Sequence, residues 1–286
     1  MNLSRTDLAV ETAEALPTGR DMFAPGTGVT KSECLLCGCP VTRIHVHTPA
    51  GAQAIGKPEG RYITIDLRPA LSRQEALTGR AALCLCRELR ALLPPPSDGP
   101  ALVVGLGNDA MTPDAVGAAA LEHLLVTRHM VRSMPRQFGA LTPVAALATG
   151  VLARTGETLE LIRGAADRLH PSVVIAIDAL AARSRHRLCA TVQLGDTGLI
   201  PGSGVGNHRK AVNARTLGVP VIALGVPTVI DGAALCGDED APPTGLFVTP
   251  QDIDRRVREL GRLIGYGVTL ALQPGLTPED AAALLG

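Results

Sequence analysis

Two aspartates stand where apolar runs end. Asp114 closes Leu102-Val-Val-Gly-Leu-Gly-Asn-Asp-Ala-Met-Thr-Pro-Asp114, and Asp178 closes Val173-Val-Ile-Ala-Ile-Asp178 ahead of Ala-Leu-Ala-Ala-Arg183. In an open parallel sheet, sites form in the crevice at the carboxyl ends of the strands, so carboxylates far apart in sequence can meet there. Two carboxylates held close together cannot both ionise easily. One pKa rises, and the pair can act as acid and base toward a water or a carbonyl. The same residues have plainer uses. Asp114 supplies a favourable charge at a helix N-terminus, and Asp178 caps the Ala-rich turn after it. By residue chemistry alone the catalytic and capping readings stand level.

Other motifs carry less. Gly105-Leu-Gly107-Asn-Asp-Ala110 matches a dinucleotide-binding turn if Ala is allowed last, but Met111-Thr-Pro113 delays the helix, and the window near 130–138 lacks the acidic residue that pattern needs. A nucleotide-binding enzyme is therefore the runner-up class. A second Gly-rich segment, Asp196-Thr-Gly-Leu-Ile-Pro-Gly-Ser-Gly-Val-Gly-Asn-His-Arg-Lys210, lacks the P-loop order. Its length suits a functional loop rich in backbone donors, with Asp196, Gly202, Gly204, Gly206 and Asn207 as candidate oxyanion or substrate contacts. Asp196-Thr-Gly198 alone is weak support for a pepsin-like site, since that triplet belongs to an all-β fold. There is no G-x-S-x-G elbow and no H-E-x-x-H. Five of the seven cysteines form Cys34-Leu-Leu-Cys37-Gly-Cys39 and Cys84-Leu-Cys86. Zinc knuckles come in matched C-x-x-C pairs, so reduced, buried thiols are the simpler account and no metal ligand is assigned.

The elements that must position these residues follow from pattern. Residues 1–30 lack a sustained period and read as an arm. Val41 to Val46 and Arg61 to Leu67 alternate apolar and polar residues, with Gly56-Lys-Pro-Glu-Gly60 as turn chemistry between them, so 31–100 is a β-rich portion. Residues 71–93 carry helical spacing and stop at Pro94-Pro-Pro. From 101 to 286, strand, turn and helix alternate, which predicts an α/β three-layer core with a mostly parallel sheet. Thr155 is a plausible cap for a helix over 157–169. Thr249 and Pro250 are placed to start a later helix whose apolar face is Ile253, Val257, Leu260, Ile264 and Val268.

Composition narrows the partners. With 27 basic and 27 acidic residues, no global field steers the chain toward nucleic acid or an anionic membrane. Three Phe, two Tyr and no Trp leave little for base-stacking platforms. The amino-terminal residues have no apolar core of signal-peptide length, and no apolar stretch reaches the roughly 18 residues of a membrane span, so a cytoplasmic compartment is expected.

Several segments resemble the germination proteases of spore-forming bacteria. They are Arg5-Thr-Asp-Leu-Ala-Val-Glu11, Ile55-Gly-Lys-Pro-Glu-Gly-Arg-Tyr-Ile-Thr64, Val104-Gly-Leu-Gly-Asn108 with Thr112-Pro-Asp114, Val174-Ile-Ala-Ile-Asp-Ala-Leu-Ala-Ala-Arg183, Asp196-Thr-Gly198, Pro201-Gly-Ser-Gly-Val-Gly-Asn207 and Val219-Pro-Val-Ile-Ala-Leu-Gly-Val-Pro-Thr228. The resemblance implies an atypical aspartic-type endopeptidase that degrades small acid-soluble spore proteins during germination, with Asp114 and Asp178 at the family's catalytic pair. It implies a self-processing zymogen, and Thr6-Asp7-Leu8-Ala9 fits the processing pattern with the cut between Asp7 and Leu8. The plain alternative is a capped first helical turn. It also implies a homotetramer in the forespore or spore core, and a distant kinship in fold to hydrogenase maturation proteases. In those proteins a histidine joins the equivalent carboxylates on a metal. No histidine here has a third-ligand context, so a metal-free pair without cofactor is expected, with a divalent metal at Asp114 and Asp178 left open. The short leader and the cysteine-rich 34–39 segment depart from the family pattern. A non-catalytic peptide-binding relative is the remaining alternative.

Overall fold

The computed structural model describes residues 6–14, 23, 26–73, 76–150, 156–203, 210–233 and 245–286. Thr155 lies outside them. Within the amino-terminal arm, α1 (Ala9–Glu14) forms a short helix that the arm reading missed. Next come β1 (Val29–Leu36) and β2 (Cys39–Val46), an antiparallel hairpin. Its two turn residues, Cys37 and Gly38, both have positive φ, as the tight primed turns require. After α2 (Pro49–Ile55), β3 (Gly60–Asp66) adds antiparallel to β2. In place of the helix expected over 71–93 there are α3 (Arg68–Ser72), which ends at its C-cap Arg73, and α4 (Arg80–Leu92), for which Gly79 holds the N-cap position.

The second half opens with β4 (Ala101–Gly105) and a 3-10 turn at Thr112–Asp114 that leads into α5 (Val116–Glu122). Then follow α6 (Arg128–Ser133), α7 (Pro135–Phe138), β5 (Val144–Ala148) and α8 (Thr158–Leu169). β6 (Val173–Ala182), β7 (Thr191–Gly195), α9 (Ala214–Leu217), β8 (Val221–Asp231) and β9 (Phe247–Val248) complete the strands. Two helices, α10 (Ile253–Leu272) and α11 (Pro278–Leu285), end the chain. α10 begins later than its expected cap. Thr249 instead donates to the Thr228 carbonyl at 2.8 Å, and Asp252 holds the N-cap position. Its predicted apolar face is buried as read.

All strands belong to one sheet, ordered β1-β2-β3-β7-β8-β6-β4-β5, with β9 beside β8. It is mixed: within 101–286 a run of four parallel strands agrees with the core expected there, and antiparallel strands extend it. Only β5, β4, β6 and β8 run parallel, whereas β7 is antiparallel to both β8 and β3. The reason lies in the connection from β6 to β7, residues 183–190. A parallel return needs a crossover of about a dozen residues or more, so this short link turns the chain back.

Both faces of the parallel strands are covered, and the strands sort their side chains by period two. Ala101, Val103, Val173, Ile175 and Ile177 pack on one face with α4 and α10. Leu102, Val104, Val174 and Ala176 pack on the other against Leu159 and Ile162 of α8. A third cluster joins Leu8, Ala9 and Val10 to Val29, Ile44, Ile55, Tyr62 and Ala182.

Candidate active site

The position of Asp114 is set by two close approaches. Gly105 and Gly117 let α5 sit directly on β4, since a Cβ at Gly105 would meet the Gly117 carbonyl at 2.5 Å. Gly107 then turns with φ +90°, and a Cβ there would stand 1.9 Å from the Asp114 carbonyl oxygen. The Asn108 N–H donates to Asp114 Oδ2 at 2.9 Å, and the Thr228 hydroxyl donates to the Pro113 carbonyl at 2.6 Å. The space that the second glycine of a dinucleotide turn keeps open for a pyrophosphate is therefore filled by Asp114 itself.

Asp178 follows Ile177, whose carbonyl accepts from the Leu106 N–H at 2.8 Å just beyond β4. Asp114 thus lies in the turn beyond the carboxyl end of β4, and Asp178 lies on the neighbouring parallel strand just past its last pair with β4. The reading that Asp178 closes its strand is corrected, because pairing with β8 carries β6 on to Ala182. Asp178 is buried, 5% exposed, and pairs in register with Gly225 of β8. Alternation places its side chain on the face of Val174 and Ala176, and its Oδ1 accepts from the Ala179 N–H at 3.0 Å.

On that face opens a cleft of about 330 Å³ lined by Asp178, Lys57, Tyr62, Gln193, Gly202 and Ser203 among others. Part of its wall is the chain's own segment Thr6-Asp7. The Asp7 N–H donates to the Ala181 carbonyl at 3.1 Å. Asp7 Oδ2 accepts from the Ala181 N–H at 2.9 Å, and its Oδ1 accepts from the Ser203 hydroxyl at 2.6 Å. The Asp7 carbonyl oxygen takes two donors, Lys57 Nζ and Gln193 Nε2, each at 3.0 Å. Beyond it, Leu8 and Ala9 are fully buried, and the Ala9 N–H donates to Gln193 Oε1 at 2.7 Å. The Leu8 N–H donates to the Thr6 hydroxyl at 3.1 Å, so the capped-turn reading of this segment also has its hydrogen bond.

Two groups in the cleft have shifted proton affinities. Burial of its ammonium end lowers the pKa of Lys57, with the Asp7 and Glu11 carboxylates working against the shift. Burial pushes the Tyr62 phenol up to about 12, and the bond to Thr197 opposes it.

The candidate loop divides. Gly202 lines the cleft, while Asp196 is held away from it as the partner of Arg61, whose N–H and Nε each donate to it at 2.7 Å. Gly204, Gly206 and Asn207 lie outside the described residues. Asp114 is half-buried and does not line the cleft that Asp178 lines. Cys39 and Cys84 are buried thiols whose mutual hydrogen bond, together with burial, raises the Cys84 pKa. Among the described residues, no group of three or more His, Cys, Asp or Glu is placed to hold a metal ion, and no helix is long and apolar enough to cross a membrane.

Lys57, Gln193 and Ser203 were not singled out from sequence. Lys57 and Ser203 sit inside segments that carried the family resemblance but were read as turn and loop chemistry. Gln193 sits on a strand with nothing in its neighbours to mark it.

A layered α/β sheet with a buried carboxylate on a central strand, in a cleft already holding a stretch of chain, has the make-up of a peptide-bond hydrolase. A family model described as Germination protease matches residues 7–241. The germination protease of Caldanaerobacter subterraneus subsp. tengcongensis is 37% identical over 98% of this chain and 98% of its own length. That of Clostridium perfringens is 36% identical over 96% and 97%, and that of Bacillus subtilis is 42% identical over 97% and 76%. The chain belongs to the germination protease family.

Proposed function

We propose that the chain is a spore-germination endopeptidase acting on small acid-soluble spore proteins, with Asp114 and Asp178 as its catalytic pair, and that it removes its own leader between Asp7 and Leu8. In this mechanism one aspartate takes a proton from water while the other, protonated, donates to the leaving amine. The observation that carries the reading is the seating of Asp7 in the cleft lined by Asp178, with the Leu8 side of the same bond buried. A homotetramer in the spore core is the corresponding assembly and compartment.

Asp114→Asn and Asp178→Asn are each expected to abolish self-processing and digestion of a recombinant small acid-soluble spore protein while leaving the melting temperature near that of the parent chain. Full activity in either variant sinks the pair. Digestion that survives a chelator supports a metal-free pair, whereas digestion that a chelator stops makes the two aspartates metal ligands. A folded chain that binds the spore protein without cutting it would make this a peptide-binding relative.

A further inference from the structure

The catalytic pair accounts for the proton transfers but leaves open what receives the charge that develops on the carbonyl under attack. We propose that Lys57 and Gln193 form the oxyanion-binding site, donating through Nζ and Nε2 to the carbonyl oxygen on the amino side of the cut bond, an assignment that rests on reading Asp7–Leu8 as a bond the enzyme cuts.

The two donors come from separate elements, Lys57 from the turn between α2 and β3 and Gln193 from β7, and both reach one oxygen at 3.0 Å. The orientation of the Gln193 amide is fixed by its other end. Its Oε1 takes the Ala9 N–H at 2.7 Å, which leaves only the Nε2 donor to face the Asp7 carbonyl. Gln193 therefore grips the chain on both sides of Leu8. The residue that carries the carbonyl is held by backbone and side chain alike, through Ala181 and Ser203. Lys57 is an expensive choice for a mere tether, since its ammonium is partly withdrawn from water, as its lowered pKa records. A cation and an amide donor aimed in advance at one carbonyl oxygen stabilise that oxygen most when it bears a full negative charge.

The step balances with water alone. The water oxygen bonds to the Asp7 carbonyl carbon as its proton passes to a carboxylate. The carbonyl π pair moves onto the oxygen between Lys57 and Gln193. Collapse breaks the carbon–nitrogen bond, and a proton moves to the Leu8 nitrogen, leaving a carboxylate on Asp7 and a free amine on Leu8.

The test uses the full chain, in which the bond is already docked, so that the self-processing rate followed by mass spectrometry reports chemistry and not encounter. Lys57→Met is expected to slow the cut about 10²- to 10³-fold, as removal of one oxyanion donor does, and Lys57→Arg to recover part of the loss. Gln193→Glu keeps the acceptor for Ala9 but loses the donor, and is expected to slow the cut likewise. In each variant, hydrogen-exchange protection of the Ala9 amide should persist. Slowing accompanied by loss of that protection would make the two residues tethers and overturn the proposal, as would parental rates in both Lys57→Met and Gln193→Glu. A parent chain that digests spore protein but never cuts Asp7–Leu8 overturns the leader reading and the oxyanion assignment together, whereas a parent that cuts there beside equally fast variants overturns the assignment alone.

Discussion

Tyr62 shows how one buried polar side chain joins the site to the stability of the fold. Its hydroxyl donates to the Pro58 carbonyl at 2.8 Å, which holds the turn that carries Lys57, and its ring packs in the cluster beneath Leu8. Burial raises its pKa from 10.0 to about 12. With the folded value above the unfolded one, the phenol's contribution to stability is complete below pH 10 and is lost as pH rises through 12. Of the chain's two tyrosines, one is therefore expected to ionise near pH 12 in an absorbance titration of the folded protein. Tyr62→Phe should remove that step together with the fall in melting temperature between pH 10 and 12. A late step that persists in the variant would place it elsewhere.

The element that matters most for Asp114 is the turn between β4 and α5. Gly107→Ala must either move the Asp114 carbonyl, 1.9 Å from the new carbon, or abandon its positive φ. The expected cost is about 1–3 kcal/mol in urea unfolding, accompanied by loss of self-processing, because the carboxylate moves with its backbone. Gly164→Ala is the contrast. It lies on the exposed side of α8 with no heavy atom within 4 Å of the added carbon, and should gain about 0.5–1 kcal/mol with unchanged activity. Equal effects in the two variants would show that the turn does not position Asp114. This turn was legible in sequence as Gly105-Leu-Gly107 followed by Pro113, but its purpose was not, since the same glycines suit a bound phosphate. Three strands escaped the pattern: β9, of only two residues, and β1 and β5 for reasons of exposure and composition. β1 is exposed along most of its length at the sheet edge, and β5 is short and Ala-rich, so neither shows a two-residue alternation of burial in its residue types.

Across the whole molecule, the amino-terminal segment is bound to the far end of β6. Glu11 is 2% exposed and accepts from the Arg183 N–H at 2.7 Å and the Ser184 N–H at 2.9 Å, with Arg187 at 3.6 Å. Glu11→Ala strands those donors and is expected to cost about 2–3 kcal/mol. The larger consequence is selective. Self-processing should slow because the Asp7–Leu8 bond leaves the cleft, while digestion of a separate spore protein continues. Limited proteolysis at the amino terminus and the two rates, measured side by side, check this. Parallel loss of both activities would mean that Glu11 supports the site itself.

Sequence by itself determined the apolar runs of the central strands and the helix faces, because burial on a period of two or 3.6 leaves its mark in residue type. Asp178, in contrast, reads as a strand end but sits inside β6, because pairing with β8 extends that strand to Ala182. The family segments added Asp7 and Leu8. Tertiary structure decided the mixed direction of the sheet, since pairing of β7 depends on the length of a loop and not on its composition. It also decided the cleft. Lys57, Gln193 and Ser203 come from three separated segments, each ordinary in its own surroundings, and only the closing of the sheet brings them around one short stretch of chain.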